Sequence, residues 1–123
     1  MDNNSNELEI IIMMESIRKS YFPKLQISQF EVKFDASFEG VQGRAISGRG
    51  PKVILYYSDS RILEPRYRMG LVPVVAHELA HFVNPVDPES EMRKRLPAPM
   101  MQLWEELMMT GHAKCSLGSV ALT

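Results

Sequence analysis

Two hydrophobic periods run along this chain, and each change of period marks a new element. Leu8, Ile11, Ile12, Met14, Ile17 and Tyr21 fall mostly three or four apart, the spacing of one helical face. This predicts an amphipathic helix from about Asn6 to Tyr21, capped by Ser5 and stopped by Phe22-Pro23, with polar Met1 to Asn6 as a frayed end. The period then shortens to two. Phe30, Val32 and Phe34 alternate with Glu31, Lys33 and Asp35, giving a strand with one apolar and one charged face. A second strand is expected from about Val41 to Ser47, where Gly40 and Gly43 allow a turn or bulge. Ser47-Gly48-Arg49-Gly50-Pro51 reads as a turn, and Lys52 to Tyr57 (Lys-Val-Ile-Leu-Tyr-Tyr) is the strongest strand signal in the chain. Three strands joined by short connections suggest an antiparallel meander.

Ser58 to Arg68, with Pro65 in its middle, fits either a short helix or a loop. From about Gly70 to Val83 the helical period returns. Val74, Val75, Leu79 and Phe82 can bury most of its circumference. Pro73 falls in the first turn, where its missing N–H has no helical partner to lose, and Asn84-Pro85 stops the helix. Asp87 and Glu89 follow in a connection, and Glu89 to Arg95 reads as a solvated charged face. A last helix is expected from about Pro99 to Met109, with Met100, Leu103, Trp104, Leu107 and Met108 as its apolar stripe and Gly111 as its end. Lys114 to Thr123 carries no strong signal.

Composition narrows the class. The chain has 123 residues, 45% apolar and 24% charged, which fits one soluble globular domain spanning residues 1–123. There is no internal repeat and no linker between domains. The formal net charge of -1 argues against nucleic acid held along the whole surface, while a local basic patch stays open. Arg44, Arg49, Arg61, Arg66 and Arg68 read as scattered surface charges rather than one groove. The single cysteine, Cys115, cannot form an internal disulfide. The apolar run Ile10 to Met14 lacks the basic start and length of a signal peptide, and no stretch is long enough to span a membrane. The expectation is a cytoplasmic protein with no membrane association. Its oligomeric state is open.

The chemistry concentrates in Ala76-His77-Glu78-Leu79-Ala80-His81. Chance places a His-Glu-x-x-His pattern in roughly one chain of this length in a few hundred. On a helix the two histidines lie one turn apart on one face and can reach a single Zn²⁺. Glu78 projects about 100° further round, where it can act as general base on a water that attacks a carbonyl. A catalytic zinc needs a third protein ligand and an open position. Glu105 and Glu106 are candidates on the last helix, with Glu105 nearer the centre of the apolar stripe. His112 is chemically the best donor but follows Gly111, and Asp87 and Glu89 are close in sequence. His112 with Cys115 has ligand spacing, but a single such pair is weak evidence.

These features resemble the SprT-like zinc metallopeptidases, which include the Spartan proteases that cut DNA–protein crosslinks. The resemblance spans Phe38 to Gly111, roughly 60% of the chain by order of elements. Gly43-Arg44-Ala45 resembles the strand preceding that family's site, Lys52 to Tyr57 its next strand, and Val75 to His81 its zinc helix. Leu103-Trp104-Glu105-Glu106-Leu107-Met108 with Gly111 resembles the helix after the third zinc histidine. In that family the third histidine stands four residues before the aromatic, a position held here by Met100, and a thioether is a poor Zn²⁺ ligand. Either Glu105 substitutes, or His112 reaches back, or the site is degenerate. A second resemblance, to the smallest glutamate-type zinc peptidases, fits Glu105 or Glu106 better.

The resemblance implies an α+β, zincin-like domain: an N-terminal helix, a small antiparallel sheet, the zinc helix and a closing helix. It implies a Zn²⁺ peptidase acting on a protein or peptide substrate, with His77 and His81 as metal ligands and Glu78 as catalytic base; Glu105 is the expected third ligand from the residues themselves, with Glu106, His112 or none as the alternatives. DNA association is implied by the resemblance alone. The alternative is a degenerate zincin serving as a non-catalytic protein- or DNA-binding module.

Overall fold

The computed structural model of the chain describes residues 3–37, 40–111 and 113–115. Helix α1 runs from Asn3–Tyr21 and is followed by strands β1 (Gln29–Phe34), β2 (Val41–Ile46) and β3 (Lys52–Tyr57). A 3₁₀ turn, Ser60–Leu63, and a single helical turn, α2 (Pro65–Arg68), lead into α3 (Leu71–Val83), α4 (Pro88–Arg95) and α5 (Ala98–Thr110). Strand β4 (Ala113–Cys115) closes the order. The mixed α+β class matches the expectation. No helix among the described residues is long and apolar enough to cross a membrane.

The sheet departs from the expected antiparallel meander. Its order is β1-β3-β2-β4, with β3 antiparallel to β2 but parallel to β1, and β4 parallel to β2. The reason lies in β3. Val53, Ile54 and Leu55 are buried in succession, so both faces of this strand are covered. Only an inner position satisfies such a run. β1 is apolar on one face alone and goes to the edge. In register, Phe30 and Val32 of β1, Val53, Leu55 and Tyr57 of β3, and Val41, Gly43 and Ala45 of β2 share one side. That side carries the core. The opposite side is polar: Glu31 pairs with Lys52 at 3.0 Å and Lys33 at 3.3 Å, flanking buried Ile54.

α1 begins earlier than expected, so Ser5 lies inside the helix rather than at its cap. Its buried stripe is Ile10, Met14 and Ile17, whereas Leu8 and Ile12 face solvent at 57% and 59% exposure. The unbroken apolar run from Ile10 to Met14 supports more than one stripe, and docking against α3 and β1 selects among them. Glu7 of α1 accepts a hydrogen bond from the Tyr57 hydroxyl, and Glu9 pairs with Arg68. α1 thus holds both the sheet and the segment entering α3.

Charged α4 is a true helix rather than only a solvated face. Asp87 caps it by accepting from Ser90 N at 3.2 Å, and Met92 is fully buried beneath it. Glu91 is buried yet paired with Lys94 and Arg95, each at 3.2 Å. Arg95 also reaches back to α1, donating to Tyr21 O at 2.9 Å and lying over the Phe22 ring. In α5 the most buried residues are Met101 and Trp104, while Met108 is 41% exposed. Gly111 ends α5 at φ 76°, the left-handed conformation that favours glycine.

Burial predicts how substitutions divide. Met92→Ala is expected to cost about 2–5 kcal/mol, and Ile12→Ala less than about 0.5 kcal/mol. Urea unfolding of the two variants beside the parent chain checks this difference.

Candidate metal centre

α3 is an interior helix. Leu71 and every residue from Pro73 to Ala80 are buried, with β2, β3, β4, α1, α4 and α5 packed around it. Apolar side chains over most of its circumference explain this placement. Gly70 precedes it without a side-chain cap, and Asn84 N closes it on Ala80 O at 2.8 Å. The motif is therefore carried into the core, where polar groups are expensive. Among the described residues the buried polar or charged side chains are His77, Glu78 and Glu91. Glu91 has cationic partners. His77 and Glu78 occupy positions where apolar residues would be more stable, so core packing alone does not account for them.

His77 Nε2 and His81 Nε2 lie 3.2 Å apart, and their rings meet edge to face. Without a metal, one neutral ring can donate to the other. The separation also suits a shared cation, because two Zn–N bonds of about 2.0–2.1 Å at a tetrahedral angle hold their nitrogens about 3.3 Å apart. Ligand atoms of His77, Glu78 and His81 all fall within 4.8 Å of one another. These three residues could hold a metal ion, and their proximity leaves its identity open. Burial, followed by the charge of His81, pushes the His77 ring from 6.5 down to about 3. Burial lowers His81 as well. Both shifts favour the neutral imidazole that binds metal.

Two residues outside the motif shape it. Trp104 of α5 is buried and stacks on His77, with ring centroids 4.5 Å apart and planes 21° from parallel. Metal-binding histidines are usually oriented by a hydrogen bond from their second nitrogen. His77 Nδ1 is buried with no hydrogen-bond partner, so the indole face takes over that orienting role. The second residue is Gly43 in β2. A Cβ built there would stand 2.5 Å from Glu78 Cγ and 2.7 Å from Oε2. The strand backbone covers Glu78 directly, and only glycine leaves that room. Isolated glycine inside a strand pattern signals such an approach. Trp104 was visible as an aromatic in an apolar stripe, but its partner was not.

The other candidate ligands lie elsewhere. Glu105 is exposed and borders a separate cleft with Arg93, Leu96 and Met101. Glu106 is exposed on the same helix. Asp87 caps α4, and Glu89 pairs with Arg93 at 3.4 Å. Met100 is half-buried, one turn before Trp104. His112 lies outside the described residues. Of the arginines considered as a basic border, Arg61 pairs with Asp59 at 2.6 Å and Arg68 with Glu9, while Arg44 and Arg49 are exposed. A groove of about 1150 Å³ is lined by Phe34, Ile62, Tyr67, Leu71, Val74 and Leu107 among others, and none of His77, Glu78 and His81 is among its lining residues. Val74 stands one turn before Glu78.

Two outcomes test this geometry. Gly43→Ala is expected to destabilise the protein by about 1–3 kcal/mol through overpacking. The backbone is not strained at Gly43, so steric conflict with Glu78 is the whole cause. Adding Glu78→Ala should recover most of the loss, and a thermodynamic cycle of melting curves measures the coupling. The second concerns acid. The unfolded His77 ring takes up a proton near 6.5 and the folded ring only near 3. Stability from this group is full above about pH 6.5 and falls as pH drops toward about 3, by up to about 1.4 kcal/mol per pH unit. His77→Gln should flatten that slope in urea titrations of metal-free protein.

Comparison with the profiles of known protein families, with curated proteins and with solved structures finds no match to this chain.

Proposed function

We propose that the protein is a zinc-dependent peptidase of the SprT-like, zincin type. The observation that carries this reading is the joint placement of His77, His81 and Glu78, with facing Nε2 atoms 3.2 Å apart and all ligand atoms within 4.8 Å. His77 and His81 hold the ion through neutral rings, a state their burial favours. When bound, zinc polarises a substrate carbonyl and makes a water molecule more acidic. Glu78, held against the β2 backbone at Gly43, receives a proton from the attacking water and delivers it to the leaving nitrogen. The groove beside Val74 receives the polypeptide, and its Phe34, Tyr67 and Leu107 lining favours apolar side chains.

A second reading, a metal-binding fold without catalysis, draws on one observation. The clustered ligands among the described residues are the motif's own three side chains, with Glu105 turned to another cleft.

One experiment separates the two. The chain is loaded with one equivalent of zinc, monitored by emission of Trp104, its single tryptophan, and assayed on a labelled unfolded protein. The expected result is cleavage that a chelator abolishes and zinc restores. Glu78→Gln should keep the zinc-dependent change in emission and lose about 10²–10⁴-fold in rate. Cleavage by Glu78→Gln at the parent rate removes Glu78 from the mechanism. Stoichiometric zinc with no cleavage of any unfolded protein favours the binding module.

A further inference from the structure

We infer that Met100 completes a soft-metal site with His77 and His81, and that this site takes Cu(I). The inference rests on the two histidines as metal ligands, as read above, and adds a third donor and a second ion. It begins with the direction of α5. Trp104 stacks on His77. About one turn further along α5, Leu107 lines the same groove as Val74, which stands about one turn before His77 on α3. α5 then leads into β4, whose Ala113 pairs with Val41, another residue of that groove. The two helices therefore run in opposite directions. One turn back from Trp104 along α5 is Met100, and one turn on from His77 along α3 is His81. Residues four apart share a helix face, and each step is about 5.4 Å, so the Met100 position stands level with His81. The Met100 side chain is half-buried and packs against the core, and His81 is half-buried as well. Both keep a solvent-facing side through which an ion can enter.

The donors decide the ion. The two Nε2 atoms are 3.2 Å apart, close enough to share one. A thioether is a poor ligand for Zn²⁺, but soft sulfur donors select Cu(I). The unbranched methionine side chain turns about three bonds, which lets its sulfur reach an ion held by a neighbouring helix. Two neutral imidazoles and a thioether add no charge of their own. A monovalent ion then brings less charge than a divalent one into a largely buried centre, where charge is costly. The sulfur has no proton to release, and the copper enters and stays as Cu(I). Because both ions use His77 and His81, Cu(I) excludes the zinc on which the proposed cleavage depends.

The test titrates the full metal-free chain with Cu(I), without oxygen, against a coloured Cu(I) chelator of known affinity. One equivalent is expected to bind and to quench Trp104, the chain's single tryptophan. X-ray absorption at the copper edge should show sulfur as well as nitrogen neighbours. Met100→Leu conserves volume and is expected to fold. It should lose the sulfur neighbour, and its ratio of Cu(I) to zinc affinity should fall more than about tenfold, since losing even an outer-shell partner costs about 10–100-fold. Met100→His should move the preference toward zinc. Cu(I) held by Met100→Leu with the parent affinity and an unchanged copper spectrum overturns the assignment and leaves the His77–His81 site standing. Zinc bound at one equivalent with no uptake of Cu(I) does the same. No binding of either metal overturns both.

Discussion

The contact between the β2 backbone and the Glu78 side chain is the constraint on which the rest depends. Glu78 is fully buried, and it is buried because Gly43 has no side chain. For the strand to come so close, α3 must lie flat against the sheet. That in turn requires a helix with apolar residues on nearly every side, which Leu71, Val74, Val75, Leu79 and the alanines supply. Once α3 is so placed, its turns carry His77 and His81 to a common point. Trp104 closes over His77 from the opposite layer. Each of these contacts loses its meaning if the strand moves away.

The arrangement opposes stability. Burying a carboxylate and two imidazoles costs free energy that an apolar core would avoid, and the depressed His77 titration records part of that cost. The surroundings offset it with packing: Trp104, Leu55, Leu63 and Met92 are among the largest fully buried side chains. α1 adds a second kind of support. Through Glu7, Glu9 and the Phe22–Arg95 contact it joins the sheet, the entry to α3 and the end of α4. Rigidity at the centre is thus supplied by elements that carry no chemistry themselves.

What could be read from sequence follows the range of the forces involved. α3 was legible almost to the residue, because Pro73 and Asn84-Pro85 are local punctuation and its periodicity is unbroken. The motif was legible because helix geometry alone converts its spacing into proximity. The strands were legible as strands, but not their order. β1 beside β3 is a choice between distant segments, decided by the burial of β3 on both faces. The buried face of α5 was only partly right. Met101 is buried rather than Met108, since the position of Trp104 against His77 sets the rotation of that helix. Glu105 lay nearer than Glu106 to the centre of the expected stripe and is exposed once this rotation is set. β4 is three residues long, too short for any period to show. Gly43 was noticed as a breaker of β2, while its meaning resides in a residue on another element.

The stacking of Trp104 on His77 also bears on the order in which the protein takes shape. During synthesis the motif helix leaves the ribosome well before α5. Until α5 arrives, His77 lacks the indole that covers it, and the interior face of α3 is open to water. Local helix formation can proceed, but a rigid pair of imidazoles cannot. The nascent chain therefore passes through an interval in which the candidate ligands exist without their geometry.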